Sequence, residues 1–341
     1  MIQRYIPVSM SKRLITLTVV ITLLFCGYAL GDIDIGAKFA GEFMTLGADG
    51  RSSGMGETGV AVGGLAGAYW NPALITSVDG GGVLAMHADR FSGVVKYDFI
   101  TAAQRYSDRE VFGLTIFRLG IDDIPLTALQ DPNSPISEEN YVYVRKWTSD
   151  SELAILGTYA INWRENVALG VNGKIINKSV GDNSALGLGF DIGATYNPVK
   201  SFQLGARISD VTTTFLGWDT GHNELILPSF GVGAAKTFHH KRLEADVTFA
   251  VDMIIRGENR GSADQFDSGI LSGDAHFGLE YMVKKVLALR AGFDREHFTA
   301  GAGLHIVRFD VDYAYQSHEG LGESHRVSLA YRWNGNPLKK Q

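Results

Sequence analysis

The chain reads as all-β: a single transmembrane antiparallel β-barrel of about fourteen strands. Three observations predict it. Apolar and polar side chains alternate with a period of two almost everywhere after residue 80. No stretch beyond the N-terminal leader suits a membrane helix. Short and long connections alternate along the chain. Composition narrows the field further. With 45% hydrophobic residues, 11% aromatics and 41 Gly against 8 Pro, the chain is neither disordered nor collagenous. A net charge of −6 offers a nucleic-acid partner no electrostatic support, and one Cys excludes a disulfide scaffold. The mean hydropathy of +0.02 is far below that of a helical membrane protein.

Residues 1–31 have the features of a secretory leader. Arg4, Lys12 and Arg13 precede an uncharged core from Leu14 to Phe25, and Tyr28-Ala29-Leu30-Gly31 places small residues two apart, as signal peptidase requires. Cleavage after Gly31 removes the sole Cys, Cys26, and takes the net charge from −6 to −9. A thiol-free exported chain suits an oxidising envelope. The uncharged stretch 58–78 is not a second span, because Gly59, Gly63, Gly64, Gly67 and Pro72 oppose a long helix.

The alternation is cleanest at 185–197, where Leu186, Leu188, Phe190, Ile192, Ala194 and Tyr196 interleave with Gly187, Gly189, Asp191, Gly193, Thr195 and Asn197. Strand side chains point to opposite faces in turn, so each segment has one apolar face and one polar or glycine face. Such segments lie near 82–88, 94–106, 110–119, 152–161, 166–179, 185–196, 201–211, 229–238, 242–255, 273–283, 286–295, 298–306, 309–316 and 325–333. Ten residues at about 3.3 Å each, tilted near 40°, cover roughly 25 Å, the height of a barrel's apolar band. Longer connections are expected at 120–151, 212–228, 256–272 and 317–324. A soluble sandwich would share the period. The charges decide for lipid: Lys174, Asp191, Arg207, Asp246, Glu280, Arg290, Asp294, Asp310, Asp312 and Arg332 all fall on the polar faces, expected to line a lumen. Tyr97, Phe112, Tyr159, Tyr196, Phe249, Phe277, Tyr313 and other rings on the apolar faces are expected to form two aromatic girdles.

The last strand, with Val327, Leu329, Tyr331 and Trp333 two apart, resembles the C-terminal signal read by the barrel-insertion machinery, although the tail 334–341 follows it. Residues 44–75 carry Gly47-Ala48, Arg51, Met55-Gly56, Val60-Ala61-Val62 and Trp70-Asn71-Pro72-Ala73. This stretch resembles the N-terminal signature of the PorV/PorQ family, among the FadL-like outer-membrane barrels. The resemblance implies a fourteen-stranded barrel with an inward-folded N-terminal hatch, and a part in protein secretion. The implied organisation is a leader at 1–31, a hatch at 32–80, a barrel at 81–333 and a tail at 334–341. The glycines of 47–67 permit close backbone packing against a barrel wall.

Catalytic and cofactor motifs are missing. Gly187-x-Gly189-x-x-x-Gly193 and Gly231-x-Gly233-Ala-Ala-Lys236-Thr237 lack nucleotide-loop spacing and lie in strands. His239-His240 reads as a solvated turn, and Asp122, Asp123, Asp131, Glu138 and Glu139 as a solvated acidic loop without EF-hand spacing. His276, His305 and His325 lie on polar faces of different strands, where a lumenal meeting stays open. No enzyme, metal or cofactor is expected. The expected setting is the outer membrane of a diderm bacterium, with lipid and the insertion machinery as partners. Three functions stay open: receipt of secreted cargo proteins, as the resemblance implies; a FadL-like conduit for long-chain fatty acids or other hydrophobic small molecules; and a sealed structural barrel. For the conduit, Phe43, Met44, Leu46, Met55 and Leu65 are the candidate pocket residues.

Overall fold

The computed structural model describes residues 33–34, 40–258, 260–318 and 322–335. The leader 1–31 and most of the tail lie outside the described residues. Fourteen antiparallel strands form the wall: β1 (Gly81–Arg90), β2 (Val95–Arg105), β3 (Glu110–Leu129), β4 (Val142–Arg164), β5 (Val167–Val180), β6 (Asn183–Val199), β7 (Phe202–Ser209), β8 (Ser229–His240), β9 (Ala245–Arg256), β10 (Ser272–Val283), β11 (Leu287–Asp294), β12 (His297–Ile306), β13 (Phe309–His318) and β14 (Gly322–Trp333). β14 pairs with β1 from Trp333↔Gly81 to His325↔Asp89, which closes the sheet. Closure satisfies every edge, as a wall in hydrocarbon must. Two-residue turns such as 165–166 and 200–201 mark one end, here the turn end; the opposite, loop end carries the longer connections.

The 120–151 segment departs from the expected loop. β3 continues to Leu129 and β4 begins at Val142, so only 130–141 is irregular and a two-stranded ribbon projects beyond the rim. Bulges between Ile121 and Ile124 and between Leu126 and Thr127 interrupt its alternation, which hides it from a period-two reading. Within 212–228, a hairpin of Thr214–Trp218 and Asn223–Ile226 pairs with β6 at Ala185–Leu188 and raises the wall above the short β7. The backbone of Ile33–Asp34 pairs in parallel with Asn223–Glu224.

Outward faces are apolar and uncovered: Leu114, Ile116, Val171, Leu188, Phe190, Phe249, Leu279 and Leu329 are all exposed. No helix among the described residues is long and apolar enough to cross a membrane; a closed barrel with this exterior crosses with strands. At the turn end Phe112–Tyr159 and Phe309–Tyr331 pack at 5.2 and 5.0 Å, and Trp333 donates to Gln104 Oε1 at 2.9 Å. Lipid solvation has a direct test. Val171→Arg is expected to cost about 2–4 kcal/mol in lipid vesicles, whereas Ile136→Arg in the loop stays within about 0.5 kcal/mol. Equal, negligible costs in urea titrations would refute lipid contact.

The inward faces are of two kinds. Across β1–β5 they are largely apolar, with Met86, Tyr97, Phe99, Phe117, Leu156 and Ile176 buried against Phe43, Tyr69, Trp70, Leu74 and Ile75. Tyr97 is therefore no girdle residue. It is 0% exposed inside the barrel, and its charged neighbours Lys96 and Asp98 point outward near the loop end. From β6 to β14 the inward faces are mostly charged, polar, glycine or alanine.

Candidate functional site

Residues 40–80 lie inside the barrel as short pieces: 3-10 turns at Glu42–Thr45 and Pro72–Ser77, and helical turns at Gly50–Gly54 and Gly67–Trp70. Glycines and the Asn71-Pro72 pair keep each piece short. Asp49 caps the Gly50–Gly54 turn by accepting from Ser52 N at 2.8 Å, while burial pushes its carboxyl above the ordinary range. Tyr69 Oη accepts from Gly47 N at 2.9 Å and donates to Met44 O at 2.8 Å. Burial raises its phenol further, so it stays a donor.

The wall holds this lumenal segment through its own polar atoms. Gly59 N and Val60 N donate to Asp252 Oδ2 at 2.6 and 2.8 Å. Gly56 N donates to Thr299 Oγ1 at 2.9 Å. Asn71, 0% exposed, donates to Val60 O and Ala194 O at 3.0 and 3.1 Å and accepts from Ala73 N at 3.2 Å. Arg207 Nη1 donates to Tyr69 O and Trp70 O at 3.2 and 3.0 Å. Inward glycines make room: a Cβ on Gly193 would lie 2.0 Å from Asn71 Oδ1, one on Gly170 2.4 Å from Ala73 N, and one on Gly292 2.4 Å from Gly56 N. Sequence reading assigns close packing to the segment's glycines; the structure adds a matching set in the wall. Those glycines sit on the polar faces of their strands, which is the signal that exposes them.

The lumenal charges form ladders. Arg51 is bidentate to Glu280 at 2.9 and 2.7 Å; Arg290 bridges Glu280 and Asp312, each at 2.7 Å. His305 Nδ1 meets Asp310 at 2.7 Å, and Asp310 meets Arg332 at 2.7 Å. Lys174 joins Asp191 and Asp210, both at 2.7 Å. Asp294 meets His276 at 3.1 Å. Asp246 instead pairs with His239 at the turn end, and Arg332 is half exposed at the rim. Sequence selection passed over Arg326, buried against Glu57 and Ser53, and Arg256, paired with Asp264 and Asp274 at 2.9 and 2.8 Å. His276, His305 and His325 do not meet; His325 lies outside with Tyr313 Oη at 2.8 Å. Among the described residues no group of His, Cys, Asp and Glu is placed to hold a metal. In the loop, Asp131 accepts from Asn133 N and Ser134 Oγ at 2.9 and 2.6 Å, which holds its carboxyl below the ordinary range.

Above the segment, at the loop end, lies a cavity of about 90 Å³. Met44, Tyr69, Phe117, Leu156, Leu225 and Ile226 line it together with Glu42, Lys174, Asp191, Arg207, Asp210 and Arg256. Of the five apolar residues singled out in the sequence, only Met44 lines it. Phe43 packs on Phe117 at 5.7 Å, and Leu46 is part of the same apolar core. Met55 belongs to a separate cluster with Ala61, Val62, Ala235 and Ala250. Leu65 borders a smaller cavity of about 30 Å³ beside Asp49 and Arg51. Phe43, Met44, Leu46 and Leu65 thus share one apolar core, Met55 lies apart, and the five line no common cavity.

Neither a protein-family model nor a curated protein matches this sequence. Solved structures do match. The toluene transporter TbuX of Ralstonia pickettii superposes with a TM-score of 0.56 at 13% identity, covering 85% of this chain and 99% of that one. The P. putida toluene transporter TodX gives 0.53 at 13%, covering 86% and 100%. A Pseudomonas aeruginosa FadL homologue gives 0.53 at 12%, covering 84% and 98%. The resemblance to PorV/PorQ rests on residues 44–75 alone. At such identities the likeness is one of fold, and the fold of this chain is the FadL-like fourteen-stranded barrel.

Proposed function

We propose that the mature protein, freed of residues 1–31, is inserted in the outer membrane of a diderm bacterium through the signal at Val327, Leu329, Tyr331 and Trp333, and passes hydrophobic small molecules across it. One observation carries this reading: the cavity at the loop end, lined by both apolar and charged side chains. Its apolar lining suits a hydrocarbon group and its charged lining a polar or acidic end group. The segment 40–80 acts as the hatch beneath it. The hydrocarbon transporters that share the fold support the same direction.

Uptake of toluene and of oleate by cells of a host lacking such a transporter tests it. Expression is expected to raise uptake, and Leu225→Trp, which fills the cavity from the hairpin, to lower it about tenfold, or about 1.4 kcal/mol on the binding step. Heat-modifiable gel migration checks that the barrel is intact. Uptake equal to that of empty cells would favour the sealed structural barrel.

Receipt of secreted cargo is a second reading, favoured by the projecting ribbon. Its Leu126, Trp147 and nearby Ile136 are 46%, 60% and 72% exposed, an apolar surface beyond the rim. Crosslinking from Trp147 to an exported protein supports it; no adduct under mild solubilisation counts against it.

A further inference from the structure

The outer wall is dented. Across β7–β12 it carries a depression of about 540 Å³. Its floor holds the small side chains of Ala234 and Ala291, which pair across strands with Val251 and Leu279. Phe202, Phe249, Phe277, Phe293 and Phe298 rim it, with Phe293 and Phe298 5.8 Å apart. The depression runs obliquely from Phe298, beside the connection at 295–296, to Phe202, beside the turn at 200–201. One charged residue, Lys236, borders it. Its Nζ donates to Ser201 Oγ at 2.9 Å and stands 5.9 and 5.7 Å from the Phe202 and Phe238 rings, at the turn-end mouth.

A second observation is independent of the groove. The turns joining β6 to β7, β8 to β9 and β10 to β11 expose Lys200, Lys241, Arg242, Lys284 and Lys285, with Glu244 as their only carboxylate. The turn-end connection at 106–109 sets Asp108 beside Arg109 instead, and that at 165–166 carries Glu165 and no cation. A chain of net charge −6 thus concentrates cations on one sector of one rim, directly below the groove. Long cationic side chains at a bilayer surface attract anionic headgroups, each by about 1 kcal/mol.

We propose that this sector binds an anionic phospholipid of the leaflet at the turn end. One acyl chain occupies the phenylalanine-rimmed groove, and the phosphate meets Lys236 and the turn cations. The inference rests on the lipid-facing wall and is independent of what passes through the lumen. Failure of the uptake test therefore leaves it standing.

Native mass spectrometry of the detergent-released protein with added phosphatidylglycerol, cardiolipin or phosphatidylethanolamine tests it. The wild type is expected to retain the two anionic lipids about tenfold over the zwitterionic one. Lys236→Gln combined with Lys241→Gln and Arg242→Gln should abolish the preference and leave weak binding. Ala291→Phe should reduce retention of all three, with Ala234→Leu as a milder filling variant should the first fail to fold. No preference in the wild type, or variants that retain lipid as the wild type does, would overturn the proposal. Displacement by millimolar inorganic phosphate would overturn it too, since the acyl chain would then contribute nothing.

Discussion

Arg326→Ala is expected to destabilise the barrel with its lumenal segment by about 3–5 kcal/mol, the cost of breaking a buried ion pair. Arg326 is 2% exposed, on β14, and its Nη1 donates to both Glu57 Oε1 and Ser53 Oγ. Both acceptors belong to the segment inside. Removing the guanidinium leaves Glu57, itself 6% exposed, as an unpaired carboxylate away from water. Gly47 lies so close that a Cβ there would be 2.4 Å from Arg326 Nη1. Collapse of the segment into the vacated space is therefore limited. The double variant Arg326→Met with Glu57→Gln, which removes both charges, should recover most of the loss. Urea unfolding of the vesicle-inserted barrel, read by tryptophan fluorescence, measures both. A single-variant loss below about 1 kcal/mol would mean that water reaches the pair.

Arg326 also shows what a period-two reading yields. Its place opposite Val327 puts it on the polar face, and that face does point into the lumen. What the alternation lacks is the partner. Glu57 comes from a stretch of glycines and small residues with no periodicity, and only the folded chain brings residues 269 apart in sequence into contact. The same limit explains Tyr97. Alternation with Lys96 and Asp98 makes its face look lipid-exposed, yet the lumen at β2 is filled by the rings of Tyr69 and Phe117. Which face of a strand meets lipid follows from what the interior contains there, and the interior of β1–β5 is largely apolar. Strand count and closure were legible because a barrel repeats one physical rule fourteen times. The cavity was not legible. Its walls come from Met44, Phe117, Lys174, Arg207 and Leu225, on separate elements that share no local pattern.

The residues 70–73 of the family-like signature lead to the other large effect. Gly193→Val is expected to unseat the lumenal segment while leaving the wall formed. Position 193 faces inward on β6, and even its first added carbon would sit 2.0 Å from Asn71 Oδ1 and 2.8 Å from Pro72 Cδ. Asn71 cannot move aside cheaply, because it donates to Val60 O and Ala194 O and accepts from Ala73 N, all in a buried site. Overpacking costs about 1–3 kcal/mol, and each buried polar group left unpaired about 1–3 kcal/mol more. Together these reach about 4 kcal/mol against seating. The strand itself tolerates valine well, since β-branched residues suit extended backbone. The two effects therefore separate: the barrel still inserts and shows heat-modifiable migration, but the lumen opens. In planar bilayers the wild type should pass little current, whereas the Gly193→Val barrel should conduct steadily. Gly157→Ala is the matched control, because that glycine has nothing within 4 Å of the added carbon. It should remain closed. Conductance equal in wild type, Gly193→Val and Gly157→Ala would show that the Asn71-Pro72 contact does not hold the lumen shut.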